Sequence, residues 1–174
     1  MSRDRRYLLR HLGAILALPL NVLIVIPAAI LFWTHADDPG WRLEAPLSYV
    51  SRFAGAGFIV VGLSLMYATI ILFFRVGDGT LAPWDPPTKF VARGIYRHVR
   101  NPMMLGVFTI LVGEALLFGS LGIFVWFACF AVGNMLYMPL MEEPALERRF
   151  GEPYRRYRAN VPRWIPRRSP WQPS

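Results

Sequence analysis

The chain has 174 residues, 55 % of them apolar, with 19 Lys and Arg against 11 Asp and Glu and a formal net charge of +8. This length argues for one domain, and so apolar a composition argues against an ordinary soluble one. The single cysteine, Cys129, excludes an internal disulfide and a thiolate metal site; His11, His35 and His98 lack ligand spacing, so no metal is expected.

Residues 1–11 carry four Arg and one Asp and lead into Leu12–Trp33, 22 residues without a formal charge. At about 1.5 Å per residue this run reaches roughly 33 Å, enough for a hydrocarbon core of about 30 Å. It is too long for a signal-peptide core and no small-x-small cleavage site follows, so an uncleaved helix is expected. Pro19 and Pro27 interrupt it, which membrane helices tolerate when neighbours satisfy the freed carbonyls. The connection 34–53 holds Asp37, Asp38 and Glu44 against two Arg, and Ala54–Phe74 is the second apolar run.

Residues 75–102 hold five basic and two acidic residues. The prolines and glycines of 75–89 preclude a regular helix, Gly77-x-Gly79 reads as turn punctuation, and Trp84 and Phe90 suit a headgroup layer. Asn101 is a good N-cap and Pro102 a good first helical residue, so a third span starts there with its positive dipole end outward. Flanked by Arg97 and Arg100, that end suits a carboxylate or phosphate, although interfacial anchoring alone would also explain the arginines. The third run, Met103–Phe118, is short. Gly119-Ser120 joins it to the fourth, Leu121–Met141. A turn at Gly119 sets Gly106 against Gly133 and Asn134 near Met104, where an inter-helix hydrogen bond is expected of the asparagine. Glu114 lies far from the basic cluster and reads as structural or neutral.

The fourth span is expected to end at Glu142-Glu143-Pro144. Two carboxylates at a helix C-terminus oppose the dipole preference; such local rule-breaking is what a functional site for a cation looks like, the alternative is that Glu142 or Glu143 pairs with a nearby Arg, and the two roles can coexist on the two residues. Gly151 and Pro153 split the following stretch into two short helices. Phe150, Tyr154, Tyr157 and Trp164 are expected to dip into the membrane interface, with Tyr154 and Tyr157 on one face, and Pro166–Ser174 reads as a loose tail.

The expected fold is all-α: a polytopic membrane protein of about four transmembrane helices with a short C-terminal interfacial helical arm. It forms one membrane domain, with two spans in 1–74, a cytoplasmic loop at 75–102, a helical hairpin at 103–141 and a cytoplasmic arm at 142–174. Every Arg-rich segment then falls on one side, which makes both termini cytoplasmic. Topology and anionic headgroups account for the net charge, so no nucleic-acid partner is expected. An Arg-heavy basic set, 18 Arg against one Lys, fits a bacterial inner-membrane protein.

Gly94-x-Tyr96-Arg97-x-Val99-Arg100-Asn101-Pro102-Met103 with Gly106 resembles the core motif of the integral-membrane methyltransferases, which include isoprenylcysteine carboxyl methyltransferases and phospholipid methyltransferases. Glu142-Glu143-Pro144, Leu146, Phe150-Gly151, Tyr154, Tyr157 and Val161-Pro162-Arg163 resemble their C-terminal signature. The likeness covers roughly residues 75–166. Many isoprenylcysteine enzymes have His where this chain has Asn101, and Met104 stands where Tyr is usual. Asn-Pro-Met is closer to the phospholipid branch.

The resemblance implies S-adenosylmethionine as cofactor, held by Tyr96, Arg100, Asn101, Pro102, Met103, Gly106, Glu142 and Glu143. Arg97 or Arg158 would orient an ionised acceptor, and Tyr154 would assist deprotonation of an amine. The acceptor would be lipid-like or a small apolar molecule bearing a carboxylate, amine or thiol, and membrane lipids are the other partner. An NADPH-dependent sterol-reductase-like enzyme and a non-catalytic membrane scaffold are the competing readings. Oligomeric state is left open.

Overall fold

A computed structural model of the chain describes residues 19–34, 41, 43–76, 90 and 92–172. Among them every regular element is helical. The principal helices are α1 (Asn21–Thr34), α2 (Leu47–Val76), α3 (Pro102–Phe118), α4 (Leu121–Phe150) and α5 (Glu152–Asn160). The first part of the first apolar run, the basic segment 1–11, Asp37, Asp38, Gly77-x-Gly79 and Trp84 lie outside the described residues.

Four spans were expected; among the described residues two helices, α2 and α4, are long and apolar enough to cross a membrane. Helix α3 has 17 residues, about 25 Å at 1.5 Å per residue. Its ends explain the shortfall. Pro102 sits at its first turn, and Gly119 stops it in the left-handed conformation at φ 64°. Ser120 then caps α4, its hydroxyl accepting from Ile123 N–H at 3.3 Å. The most apolar stretches of α2 and α4 are only 22 % and 17 % buried inside the protein, the reverse of a soluble core helix. Phe32, Trp33, Phe53 and Tyr67 are among the many large apolar side chains on the outer surface.

The closest packing joins α2 to α3. A Cβ at Gly55 would lie 2.6 Å from Gly113 O, and one at Gly113 would lie 2.7 Å from Gly55 O. Gly62 and Gly106 face each other in the same way, at 2.7 and 2.9 Å. Each helix thus presents two glycines seven residues apart to an antiparallel neighbour, and the backbones touch. Ser51 adds a hydrogen bond across this interface, to Leu116 O at 2.9 Å. This corrects the expected Gly106–Gly133 contact, for nothing lies within 4 Å of a Cβ at Gly133. Asn134 likewise bonds its own helix, to Phe130 O at 2.8 Å, rather than crossing to Met104.

Helix α4 does not end at Glu142. It runs on to Phe150 through a π-helical segment, Met138–Glu142, so the carboxylate pair lies within a continuous helix and the expected dipole conflict disappears. Glu143 N–H reaches back five residues to Met138 O, and Pro144, with no N–H, follows directly. Helix α1 uses the same device. Ile26 N–H reaches Asn21 O, Pro27 follows, and Val22 O accepts instead from Trp126 Nε1 of α4 at 3.2 Å. Widened turns absorb each proline without breaking the helix.

Gly62→Ala and Gly113→Ala should each destabilise the protein by about 1–3 kcal/mol, because the added methyl meets backbone. Gly57→Ala, in open space on the same helix, should stabilise by up to about 1 kcal/mol. Reversible unfolding in mixed micelles checks both signs.

Candidate active site

Residues 93–101 lack long regular structure, so something else must hold them. Gly94, at φ 54°, opens a single 3-10 turn, Gly94–Arg97. The C-terminal segment runs back along this stretch. Arg100 N–H donates to Pro162 O at 2.9 Å, Arg167 N–H to His98 O at 2.9 Å and Trp171 N–H to Arg97 O at 2.9 Å. His98 Nδ1 also lies 2.8 Å from Arg167 O, and Arg97 Nε donates to Trp171 O. Through residue 172 the tail expected to be loose is therefore a strap. Backbone pairing holds it, and that leaves no side-chain pattern in the sequence.

At the centre stands Glu143, only 6 % exposed. Its Oε1 accepts from Arg100 Nη1 at 2.9 Å and from Arg163 Nε at 2.5 Å, and its Oε2 accepts from Arg163 Nη2 at 2.9 Å. A carboxylate this deep is tolerable only when paired, and two guanidiniums neutralise it. The pairing raises the Arg163 pKa further above its already high ordinary value, so it stays charged. The Arg100 guanidinium lies near enough to the Tyr154 hydroxyl to offset part of the rise that burial imposes on its pKa. Arg100 Nε, by contrast, is buried without a hydrogen-bond partner. An orphaned donor of this kind costs about 1–3 kcal/mol, and it marks where an acceptor from outside the chain fits.

Glu142 is half-buried and forms no ion pair with a described residue. Its charge and the Tyr157 hydroxyl help raise the Tyr96 pKa, after burial, which is the main cause. Burial likewise raises the Tyr154 and Tyr157 hydroxyls, so all three phenols are protonated at neutral pH. Tyr157 donates to Tyr96 O at 2.7 Å. Tyr154 and Tyr157 are 3 % exposed and pack with Val161, Phe90, Phe150 and Trp171. They lie inside the protein rather than dipping into the interface as expected, because their shared face meets the strap. Trp164 stacks on Phe108 of α3, with ring centroids 5.4 Å apart.

The structure therefore brings Tyr96, Arg100, Glu142, Glu143 and Tyr154 together. The other expected site residues each have contacts of their own, and Arg158 also lies near enough to Tyr154 to lower its pKa. Arg97 serves the strap. Arg158 pairs with Glu147 at 2.8 Å on the exposed side of α5. Pro102 is buried, Met103 packs on the core around Leu23 and Val107, and Gly106 faces Gly62 and Met66. Asn101 precedes α3 but makes no capping bond; its backbone, at φ −121° and ψ 59°, starts the helix without one. Glu114 carries one buried oxygen with no partner, within α3 and outside this cluster. Sequence reasoning quoted Arg163 only as part of a signature. The available signal was the excess of carboxylates at 142–143 over Arg100 alone.

No curated protein and no solved structure shows detectable similarity to the chain. The phospholipid methyltransferase profile matches residues 50–153, more than half of the chain. That stretch holds α2, α3, α4, Arg100 and both carboxylates, while Arg163 and the strap lie beyond it. A match over that much of the sequence shows the family: the chain belongs to the phospholipid methyltransferase family.

Proposed function

We propose that the protein is an S-adenosylmethionine-dependent methyltransferase acting on a lipid-like or small apolar acceptor at the cytosolic surface of a membrane. The observation that carries this reading is the orphaned, buried Nε–H of Arg100 in the same cluster as Glu142, a carboxylate without an ion-pair partner among the described residues. A buried donor without a partner on Arg100, and an unpaired carboxylate next in the chain to the Glu143 that Arg100 binds, fit a ligand carrying both a carboxylate and cationic or hydroxyl groups. The amino-acid and ribose parts of S-adenosylmethionine offer these, and the bound cofactor would supply an electrophilic methyl group on sulfur.

In this reading Arg100 Nε–H binds the ligand carboxylate, and Glu142 accepts from an ammonium or ribose hydroxyl and favours the adjacent positive charge. Glu143 is not free for that task, since Arg100 and Arg163 fill it. Burial raises the Tyr154 pKa, so its hydroxyl is protonated at neutral pH and offers a proton rather than accepting one. Methyl transfer is an in-line displacement, so the chain contributes mainly position and dry surroundings. An ionised carboxylate acceptor needs no base. An amine or thiol acceptor gives up a proton, and Glu142 is the open carboxylate to take it. The apolar outer surfaces of α2 and α4 let the acceptor arrive from the lipid, with both termini and the Arg-rich segments cytoplasmic. No observation in the cluster favours the sterol-reductase-like reading or the non-catalytic scaffold over membership in a methyltransferase family.

Calorimetry in detergent should show binding of S-adenosylhomocysteine, weakened about tenfold or more by Arg100→Lys and by Glu142→Gln with little change in unfolding temperature. Glu143→Gln should instead lower the unfolding temperature clearly, because it leaves two guanidiniums, the largely buried one of Arg100 among them, facing a neutral group. Labelled S-adenosylmethionine with a lipid extract should yield a labelled product. Binding of NADPH in place of S-adenosylhomocysteine, or unchanged affinity in both Arg100→Lys and Glu142→Gln, would overturn the reading.

A further inference from the structure

Each π-helical turn is followed by a proline, and each leaves one carbonyl without its helical donor. In α1, Ile26 N–H donates to Asn21 O and Pro27 has no N–H, so neither serves Val22 O. Trp126 Nε1 takes that carbonyl instead, at 3.2 Å. The turn in α4 repeats this arrangement residue for residue. Glu143 N–H donates to Met138 O and Pro144 has no N–H, so neither serves Pro139 O. Here no side chain among the described residues takes the donor's place. Backbone carbonyls in a membrane protein are ordinarily paired, because lipid offers no donor.

We propose that Pro139 O is a ligand-binding acceptor, kept open by Pro144, and that it takes the ammonium group of the bound cofactor. Helix carbonyls point toward the C-terminal end, so Pro139 O faces the level of Glu142 and Glu143, three and four residues on. Pro139 is half-buried, Glu143 is buried, and Arg100 Nη1 meets Glu143 at 2.9 Å. The identity of the group rests on the cofactor reading above. There Arg100 Nε–H holds the ligand carboxylate, and the ammonium hangs from the same carbon as that carboxylate. An ammonium carries three N–H donors and calls for more than one acceptor group, of which Glu142 is one. A carbonyl only accepts, so it suits this group and not the carboxylate. In α1 the matching carbonyl joins two helices through Trp126; in α4 it is left for a molecule from outside the chain.

The direct test follows the Pro139 carbonyl by magnetic resonance in detergent. Carbonyl-¹³C proline combined with ¹⁵N-leucine reports only Pro-Leu pairs, which stand at 19–20, 46–47 and 139–140. Leu140→Ile identifies the third by its loss. In protein without ligand, Pro144→Ala restores an N–H within reach of Pro139 O, so the carbonyl resonance should move downfield. An unmoved resonance overturns the open acceptor. Should Pro144→Ala fail to fold, Pro144→Ser restores the same N–H and is read in the same way.

Adding S-adenosylhomocysteine to the unaltered protein should move the same resonance downfield, and an analogue lacking the amino group should leave it in place. Pro144→Ala should weaken S-adenosylhomocysteine about tenfold but leave the affinity of the analogue unchanged, since the bond lost is the one to the ammonium. Equal losses for both ligands contradict a role through Pro139 O. If the unaltered protein binds no S-adenosylhomocysteine, the cofactor reading falls and the ammonium assignment with it. The shift in Pro144→Ala then decides alone whether the acceptor stands open.

Discussion

A carboxylate buried to the extent of Glu143 must be neutralised, and meeting that requirement organises this end of the protein. Its two guanidinium partners come from different parts of the chain: Arg100 from the segment before α3, and Arg163 from the strap after α5. Two stretches remote in sequence are thereby fixed to one point on α4. The pairing also distributes work between adjacent residues. Glu143 is filled by its two arginines, while Glu142, one position away, has no ion-pair partner among the described residues. Pairs of this kind contribute little net stability compared with a hydrophobic replacement, but removing one partner is expensive. Their value here is in fixing geometry.

The rest of the fold supplies a frame for that junction. Facing glycines bring α2 and α3 into backbone contact, which makes this pair the most rigid part of the bundle. By contrast α3 and α4 meet through bulky rings, Phe108 with Phe127 and Phe130 at about 6 Å. The π-helical segment before Pro144 lets α4 continue past the carboxylates, so Glu143 projects from an uninterrupted helix rather than a frayed end. Single widened turns are frequently found where a helix carries a functional side chain, and this one carries two carboxylates.

Much of this was legible in the residues. Pro102 marks the start of α3, Gly119-Ser120 the turn, and Gly151 with Pro153 the break between α4 and α5, because each acts through its own backbone. The convergence of the Arg100 and Glu142-Glu143 clusters was legible too, through topology. What escaped reading depended on partners remote in sequence. Gly106 was matched to Gly133 because adjacent helices are the default neighbours, whereas its real partner, Gly62, lies across the long connection. Pro144 was read as a stop because the pattern of apolar residues does not encode a five-residue reach from Glu143 to Met138. The strap looked like a tail because its prolines and arginines resemble disorder, and its hold on residues 97–100 runs through backbone groups common to every residue. Arg97 and Arg158 looked available because sequence shows a charge but not the carbonyl of Trp171 or the carboxylate of Glu147 that engages it.

The most direct measurement is a mutant cycle on the junction itself, read by reversible unfolding in mixed micelles. Glu143→Leu should cost about 3–5 kcal/mol, since it leaves the buried Arg100 charge without its carboxylate, and Arg100→Met about 1–3 kcal/mol, since Arg163 still pairs with Glu143. Combining both with Arg163→Met should cost far less than the sum of the single changes, because no buried charge is then left alone. Small single effects, or losses that simply add, would mean that these groups do not meet in the folded protein, and the single pocket built on them would not exist.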